Sequence, residues 1–366
     1  MIDLVIMIGV CFFLANQIEI KSRKYTNVRV AVKKDWLVKI LYFILLLILI
    51  FFSGLRTTYN DTETYMQAYE RLNISDVHMF SILEPYGGFI ILQTFLKRYI
   101  SEDPQILILV SSIMVNSVFV YFYSKYSKHF GLTIFSHLIL GTYIFSMAGI
   151  KQIMAMSISL FAIENLLRKK YLKFFIWLLV AMTFHPYIIC LAVLPFFREG
   201  VWNKKIVMTI FIVIFLAANL EVLLNFAGMI GKEYTIEEMT DYTVNPIRVL
   251  IEIIPVIFSL LYRAKINKRK NELLNLSINM MIINAFMISL GLFFNPIYFA
   301  RIGTYFSVLN AIAIPIMLTV IYQKNEHYRM NIFVYYAFYC LYFMLDLTKL
   351  GAISITHDLF NHINIF

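Results

Sequence analysis

The residues best able to do chemistry in this chain are cations and acids beside long apolar runs. Arg56 follows the run "LVKILYFILLLILIFF" in the stretch "SGLRTTYNDTETY", with Asp61, Glu63 and Tyr65 close behind it. Glu84 precedes a short apolar segment, "YGGFIILQTFLKRYI". Lys151 and Gln152 interrupt the join between "TYIFSMAGI" and "IMAMSISLFAI", and His185 stands before a proline. Arg248 opens another apolar run, and Arg301 sits in "NPIYFARIGTYF", just ahead of Tyr305. Ionisable groups at such depth are expensive and usually face a cavity, so each is a functional candidate. Arg and Lys can hold a pyrophosphate and neutralise its charge as it leaves, the role a metal ion plays elsewhere. A nearby carboxylate or histidine can take the proton from an attacking hydroxyl. Anion transport would need the cations but no base. With no His/Cys cluster beside them, neither a metal nor a cofactor is expected.

Structural roles compete at several of these positions. Arg56 and Arg248 can snorkel to a membrane interface. His185 can satisfy a carbonyl freed by the following proline. Tyr59, Tyr65, Tyr86 and Tyr305 suit an interfacial aromatic belt in a chain with 24 tyrosines.

The elements that must position these groups are membrane helices. The 366 residues are 60% hydrophobic and 16% aromatic, with a mean hydropathy of +0.74. A soluble domain of this size could not hide that much apolar surface. Apolar runs near 2–20, 36–54, 105–124, 132–149, 150–167, 205–224, 247–262, 273–294, 302–322 and 331–348 are membrane-length, since ~20 residues cross a ~30 Å core. The expectation is an all-α polytopic membrane protein with about ten spans, forming one integral domain over 1–366.

The net charge of +10 is a topology signal rather than a nucleic-acid patch. With the N-terminus outside, segments 21–35, 125–131, 168–173, 198–205, 263–270 and 323–329 lie inside and hold 22 of the 32 Lys and Arg residues. Outer loops 55–84 and 224–246 are acid-rich instead, the second carrying Glu233, Glu237, Glu238 and Asp241. Both termini are expected outside. The N-terminus lacks a basic leader and a small-residue cleavage site, so it reads as a retained first span. Cys11, Cys190 and Cys340 all fall in apolar segments and carry no redox signal.

Two segments do not fit a simple span. Residues 86–100 are too short to cross and read as a re-entrant or interfacial helix. Residues 171–197 are flanked by basic clusters on both sides, which suits two short helices meeting at His185–Pro186.

Four motifs in order resemble the EpsG/Wzy-like bacterial polysaccharide polymerases of capsule, exopolysaccharide and O-antigen synthesis. "GLRTTYNDTETYMQAYE" is similar to that family's R…ND-T…Y segment, and "EPYGGFIILQTFLKRY" to the Glu-then-Gly-Phe helix after it. "YIFSMAGIKQIMAMSISLFAIENLLRKKYLKFFIWLLVAMTFHPYIICLAVLPFF" resembles the family's Arg-Gln pair, Ala-rich helix, basic turn and Phe-His break. "RIGTYFSVLNAIAIPIML" resembles the late R…YF…P segment. The resemblance implies an enzyme of the bacterial cytoplasmic membrane that joins repeat units carried on undecaprenyl pyrophosphate at the outer face. A flippase and a chain-length regulator of the same pathway would be its partners. Arg56, Asp61, Tyr65, Glu84, Gln152, His185 and Arg301 fall on motif positions, and Lys151 stands where the family pattern has arginine. The cluster suggests Arg56, Lys151, Arg301 and Arg248 as pyrophosphate ligands, with Asp61, Glu84 or His185 as base. Single-sugar transfer from a polyprenyl-phosphate donor and lipid-glycan flipping remain open as alternatives.

Overall fold

Proline, glycine and short polar caps divide the apolar sequence into helices. The computed structural model describes residues 2–219, 243–295, 299–323, 325–346 and 356–357. Most of the expected acidic outer loop at 224–246 therefore lies outside the described residues. The chain groups into two compact units, residues 1–189 with 324–366, and residues 190–323.

The first unit is built on α1 (Ile2–Ser22), α2 (Val28–Lys34), α3 (Trp36–Gly54), a short strand β1 (Arg56–Thr58), α4 (Thr62–Arg71), α5 (Gly87–Tyr99) and α6 (Gln105–Tyr126). It continues through α7 (Phe130–Ile139), α8 (Thr142–Ala148), α9 (Ile150–Leu167) and α10 (Tyr171–Phe184), and takes in α17 (Tyr328–Leu345) and β2 (Thr356–His357) near the C-terminus. Strand β1 pairs antiparallel with β2, Arg56 opposite His357. Asp35 starts α3 by accepting from the Leu37 and Val38 amides, the usual solution for orphan donors at a helix start. His185 ends α10. A residue before proline is pushed out of the helical region, and His185 is extended at φ −151° and ψ 113°. The break expected at His185–Pro186 is thus present, with a 3₁₀ segment, Pro186–Phe197, beyond it.

Basic segments collect at one end of this unit. Lys125 and Arg168 both pair with Glu164, at 2.7 and 2.6 Å. Arg29 lies 4.6 Å from the Tyr121 ring centre, and Glu19 accepts from the Gly131 amide at 2.9 Å. At the opposite end, Gln105 donates to the carbonyls of Gly54 and Arg56, closing the turn after α3 against the start of α6. Between the ends runs a buried polar seam. The Ser53 and Ser112 hydroxyls are 2.6 Å apart, and Asn116 donates to both.

The second unit holds most of the 3₁₀ segment, then α11 (Lys204–Ala218), α12 (Pro246–Leu261), α13 (Arg263–Asn267), α14 (Glu272–Leu290), α15 (Phe299–Phe306) and α16 (Asn310–Tyr322). It also gathers basic groups at one end: Arg198 pairs with Glu272, and Arg269 donates to Gln323. Asn279 ties the Phe197 and Gly200 carbonyls to α14.

Six elements are long and apolar enough to cross a membrane: α1, α3, α6, α9, α14 and the α15–α16 run from Phe299 to Tyr322. A seventh exists if α7 and α8, bent by 47°, form one broken span. The all-α polytopic class expected from the sequence is present, with six or seven such elements among the described residues rather than about ten. Physical reasons account for the difference. Helices α11 and α12 have 15 and 16 residues, about 23 Å at 1.5 Å per residue, short of a ~30 Å core. Five tyrosines dilute the apolar character of α17. Helix α5, with 13 residues, is too short to cross, as expected.

Candidate functional site

The candidate site lies in the first unit, at the end opposite the basic cluster, and is centred on Lys151. Gly149 breaks the chain between α8 and α9, and Lys151 follows in the first turn of α9. Its ammonium lies 4.7 Å from the ring centre of Tyr86, 5.3 Å from Phe89 and 5.9 Å from Tyr65. Three aromatic faces thus surround one half-buried cation, an arrangement that holds an ammonium in place through the rings' quadrupoles. Tyr86 also meets His185 edge-on with centroids 5.3 Å apart, and Tyr187 flanks that histidine at 5.6 Å.

Local sequence explains how four elements reach this point. Tyr86 is in the left-handed region at φ +65°, an uncommon conformation for a bulky residue, and such strain marks sites over-determined by their surroundings. It turns the chain sharply into α5, where Gly87 and Gly88 follow. A side chain at Gly88 would press on Thr183: its Cβ would lie 2.8 Å from the Thr183 Cβ. Glycine therefore lets the start of α5 touch the end of α10, which brings Tyr86 to His185. Asn60, also left-handed at φ +46° and of a type that tolerates it, turns β1 into α4 and so places Tyr65.

Arg56 occupies the wall behind this cluster and is 2% exposed. Its Nε donates to the Thr62 hydroxyl at 3.0 Å, Nη2 to the Met147 carbonyl at 2.8 Å, and Nη1 to the Ser53 carbonyl. These partners are a hydroxyl and two carbonyls, not Asp61 or Glu63, both of which are exposed. Burial pushes the Arg56 pKa down to about 10, so the guanidinium stays charged at neutral pH. Burial is also the main reason that the Tyr59 phenol is shifted upward, with the Asp346 carboxylate adding to it.

Asp61 caps α4 without a side-chain hydrogen bond to the helix, and its carboxylate is exposed four residues before Tyr65. Glu84 is exposed two residues before Tyr86. Gln152 is buried in α9 beside Lys151. Lys151, His185 and Tyr65 are therefore brought together, with Asp61 and Glu84 on the segments that deliver the rings. Phe89 and the Gly88–Thr183 contact were not singled out by sequence. The "GGF" triplet at 87–89 was the available signal.

Arg248, Arg301 and Tyr305 belong to the second unit. Arg248 and Arg301 are exposed, and their chain neighbours Val249 and Ala300 pack in one apolar cluster with Val244 and Ile288. Tyr305 is fully buried. Glu252, missed by sequence reasoning, accepts from Asn284 at 3.0 Å; as the lone acid of the apolar run 246–261 it was legible in principle. No group of three His, Cys, Asp or Glu side chains able to hold a metal ion occurs among the described residues.

Fold and site together define a polytopic membrane protein with a cation held among aromatic rings at the outlet of its helices. The family model for the EpsG family matches residues 39–361, and the chain belongs to that family. It is accordingly a multi-pass membrane protein of polysaccharide biosynthesis, of polymerase-like function. No curated protein and no solved structure matches it.

Proposed function

We propose that the protein polymerises undecaprenyl-pyrophosphate-linked oligosaccharide repeat units at the outer face of the bacterial cytoplasmic membrane. The observation that carries this reading is the Lys151 cluster: one cation, three aromatic rings and a histidine at the end of the first unit away from its basic segments. The positive-inside rule makes that basic end cytoplasmic, so the Lys151 end faces outward, with both termini outside.

In the proposed reaction a hydroxyl of the acceptor repeat attacks the anomeric carbon of the donor glycan. The new glycosidic bond forms as the bond to the pyrophosphate oxygen breaks, and undecaprenyl pyrophosphate leaves with the electron pair. Lys151 stabilises that charge as it develops. Arg56, whose N–H groups are largely engaged by the protein, keeps the β1 turn in place and adds positive potential behind the lysine. The acceptor proton passes to Asp61, Glu84 or His185. Of these, His185 touches the ring cluster directly, whereas the two carboxylates are solvated. Tyr65, Tyr86 and Phe89 offer faces on which a sugar ring can stack. Lipid flipping and chain-length control would fall to partner proteins of the same pathway.

Deletion of the gene tests the reading. Loss of long polymer with build-up of one complete lipid-linked repeat on the outer leaflet supports it. A build-up of incomplete repeats would instead indicate single-sugar transfer, and complete repeats trapped inside would indicate a flippase.

A further inference from the structure

We propose that the C-terminal strand β2 is a detachable strap on the candidate site: docked on β1, it sets the bend after Arg56 and so the turn that delivers Tyr65. For the reaction it serves, the inference rests on the polymerase reading. For the contact itself it rests on the strand pairing, which lies wholly within the first unit.

Strand β1 links two parts of the site's wall. Its first residue is Arg56, and soon after its end Asn60 makes the left-handed turn into α4 that places Tyr65. Three residues of strand do not hold their own shape, because strand backbone groups need partners across a ladder. Gln105 steadies the start of β1 through the Gly54 and Arg56 carbonyls. The strand partner comes from the far end of the chain, with Arg56 opposite His357 and Thr58 opposite Thr356. No other strand pairs with β1 among the described residues. The register is irregular: Thr356 and His357 are adjacent, whereas one residue separates Arg56 from Thr58, so β1 bulges. A bulge bends and twists its strand, and bulges recur beside active sites, where they re-aim a side chain. A bulge exists only against a partner, so the bend just after Arg56 depends on β2.

A second observation brings the C-terminal segment to the same wall. Burial, and then the carboxylate of Asp346 just past α17, raise the pKa of Tyr59, the residue after β1. The pairing is also small enough to come apart. Three residues against two fall short of even an isolated hairpin, which is itself marginal in water. Release of β2 loosens the path from Arg56 to Tyr65, and with it one ring of the Lys151 cage, while α3 and α6 stay packed.

The test compares a locked and a released strap. Opposed Cα atoms in an antiparallel ladder lie about 4.5–5.5 Å apart, within a disulfide's span. Thr58→Cys with Thr356→Cys should therefore link on mild oxidation, read by mass spectrometry of the joined peptides, and the locked protein should keep wild-type polymer yield. In the wild type, residues 56–58 should exchange their amide hydrogens sooner than α3 and α6. A stop codon in place of Thr356 should speed exchange over 56–65, leave α3 and α6 as protected as before, and lower polymer about tenfold or more at matched protein level, as for a misplaced reacting group. If the shortened chain does not accumulate, Thr356→Pro with His357→Pro removes both N–H donors of β2 at full length and takes its place. An absent disulfide, a locked protein without polymer, or unchanged exchange in the released variant would each overturn the strap. So would wild-type polymer from the released variant where Lys151→Met loses it. Wild-type polymer from Lys151→Met removes the polymerase reading instead, and linkage and exchange then decide the strap by themselves.

Discussion

Gly88→Ala is the sharpest perturbation of the proposed active site, because it adds one methyl group and removes no chemical function. The new Cβ would lie 2.8 Å from the Thr183 Cβ and 3.2 Å from the Thr183 carbonyl carbon, and closer still to the hydroxyl. Carbon atoms pack at about 3.5–4.0 Å, so the start of α5 must withdraw from α10 by about 1 Å. Tyr86 and Phe89 travel with α5, which pulls two of the three rings away from Lys151 and parts Tyr86 from His185. Overpacking of this kind costs about 1–3 kcal/mol, which a large helical bundle tolerates. A misplacement of about 1 Å at a reacting centre lowers rates about 100-fold. Polymer formation should therefore fall about 100-fold in a deletion strain complemented with Gly88→Ala, at unchanged protein level in the membrane. Adding Thr183→Gly removes the two closest contacts, the hydroxyl and the Cβ, leaves only the 3.2 Å approach to the carbonyl carbon, and should restore most polymer in the double variant. Polymer length and yield on gels, against immunoblotted protein, give the answer. Wild-type polymer from Gly88→Ala alone would refute the idea that ring placement by the α5–α10 contact matters.

Three further outcomes are expected. Lys151→Arg should keep most polymer formation, since it retains the positive charge, whereas Lys151→Met should lose it; polymer yield at matched protein level decides. Arg56→Met leaves the Ser53 and Met147 carbonyls without their donor, and each buried unpaired group costs about 1–3 kcal/mol. The variant should melt earlier in detergent, and Arg56→Lys should not rescue it, because the three acceptors are set around a planar fork, one each at Nε, Nη1 and Nη2, a geometry that a compact ammonium does not reproduce. Asp35 has its pKa lowered from 3.8, first by the Val38 amide and then by Lys24. A lowered carboxylate contributes stability above its unfolded pKa that is lost as pH falls through the folded value. The wild-type melting temperature should thus decline below about pH 4 more steeply than that of Asp35→Asn, read by thermal unfolding across pH.

The helices were legible because a membrane imposes a length and a charge bias that survive without any tertiary information. Trp36–Gly54 and Gln105–Tyr126 follow almost directly from their apolar runs, and the His185–Pro186 break follows from proline's own geometry. The side chains of the candidate site were partly legible, since a lysine inside "AGIKQIM" is conspicuous wherever it points. What it points at was not. Arg56 reaches a carbonyl 91 residues away, at Met147, and no local pattern encodes which carbonyl will be there. Phe89 stood in the sequence only as the aromatic of a Gly-Phe motif, and nothing local told that it would lie 5.3 Å from the Lys151 ammonium. Glu252 escaped notice for the opposite reason: its hydrogen-bond partner is Asn284, a residue that reads as unremarkable inside α14.

Lys97 shows how the α4–α5 segment keeps its shape. Its ammonium donates to the carbonyls of Tyr69, Glu70 and Leu72 at 3.0, 2.7 and 3.0 Å, closing off the C-terminal end of α4 from the far end of α5. Counted as a bare charge it argues for orientation, yet here it works as a clasp. Closure entropy changes only slowly with loop length, and the clasp joins both helices independently of what lies between them. The stretch from Asn73 to Val77 can therefore lengthen, shorten or change composition without moving Tyr65 away from Phe89, whereas Ser81 and Ile82 pack against Gly87 at the start of α5. For the proposed polymerase the consequence is a division of labour: this outer loop can vary while the cage around Lys151 stays put.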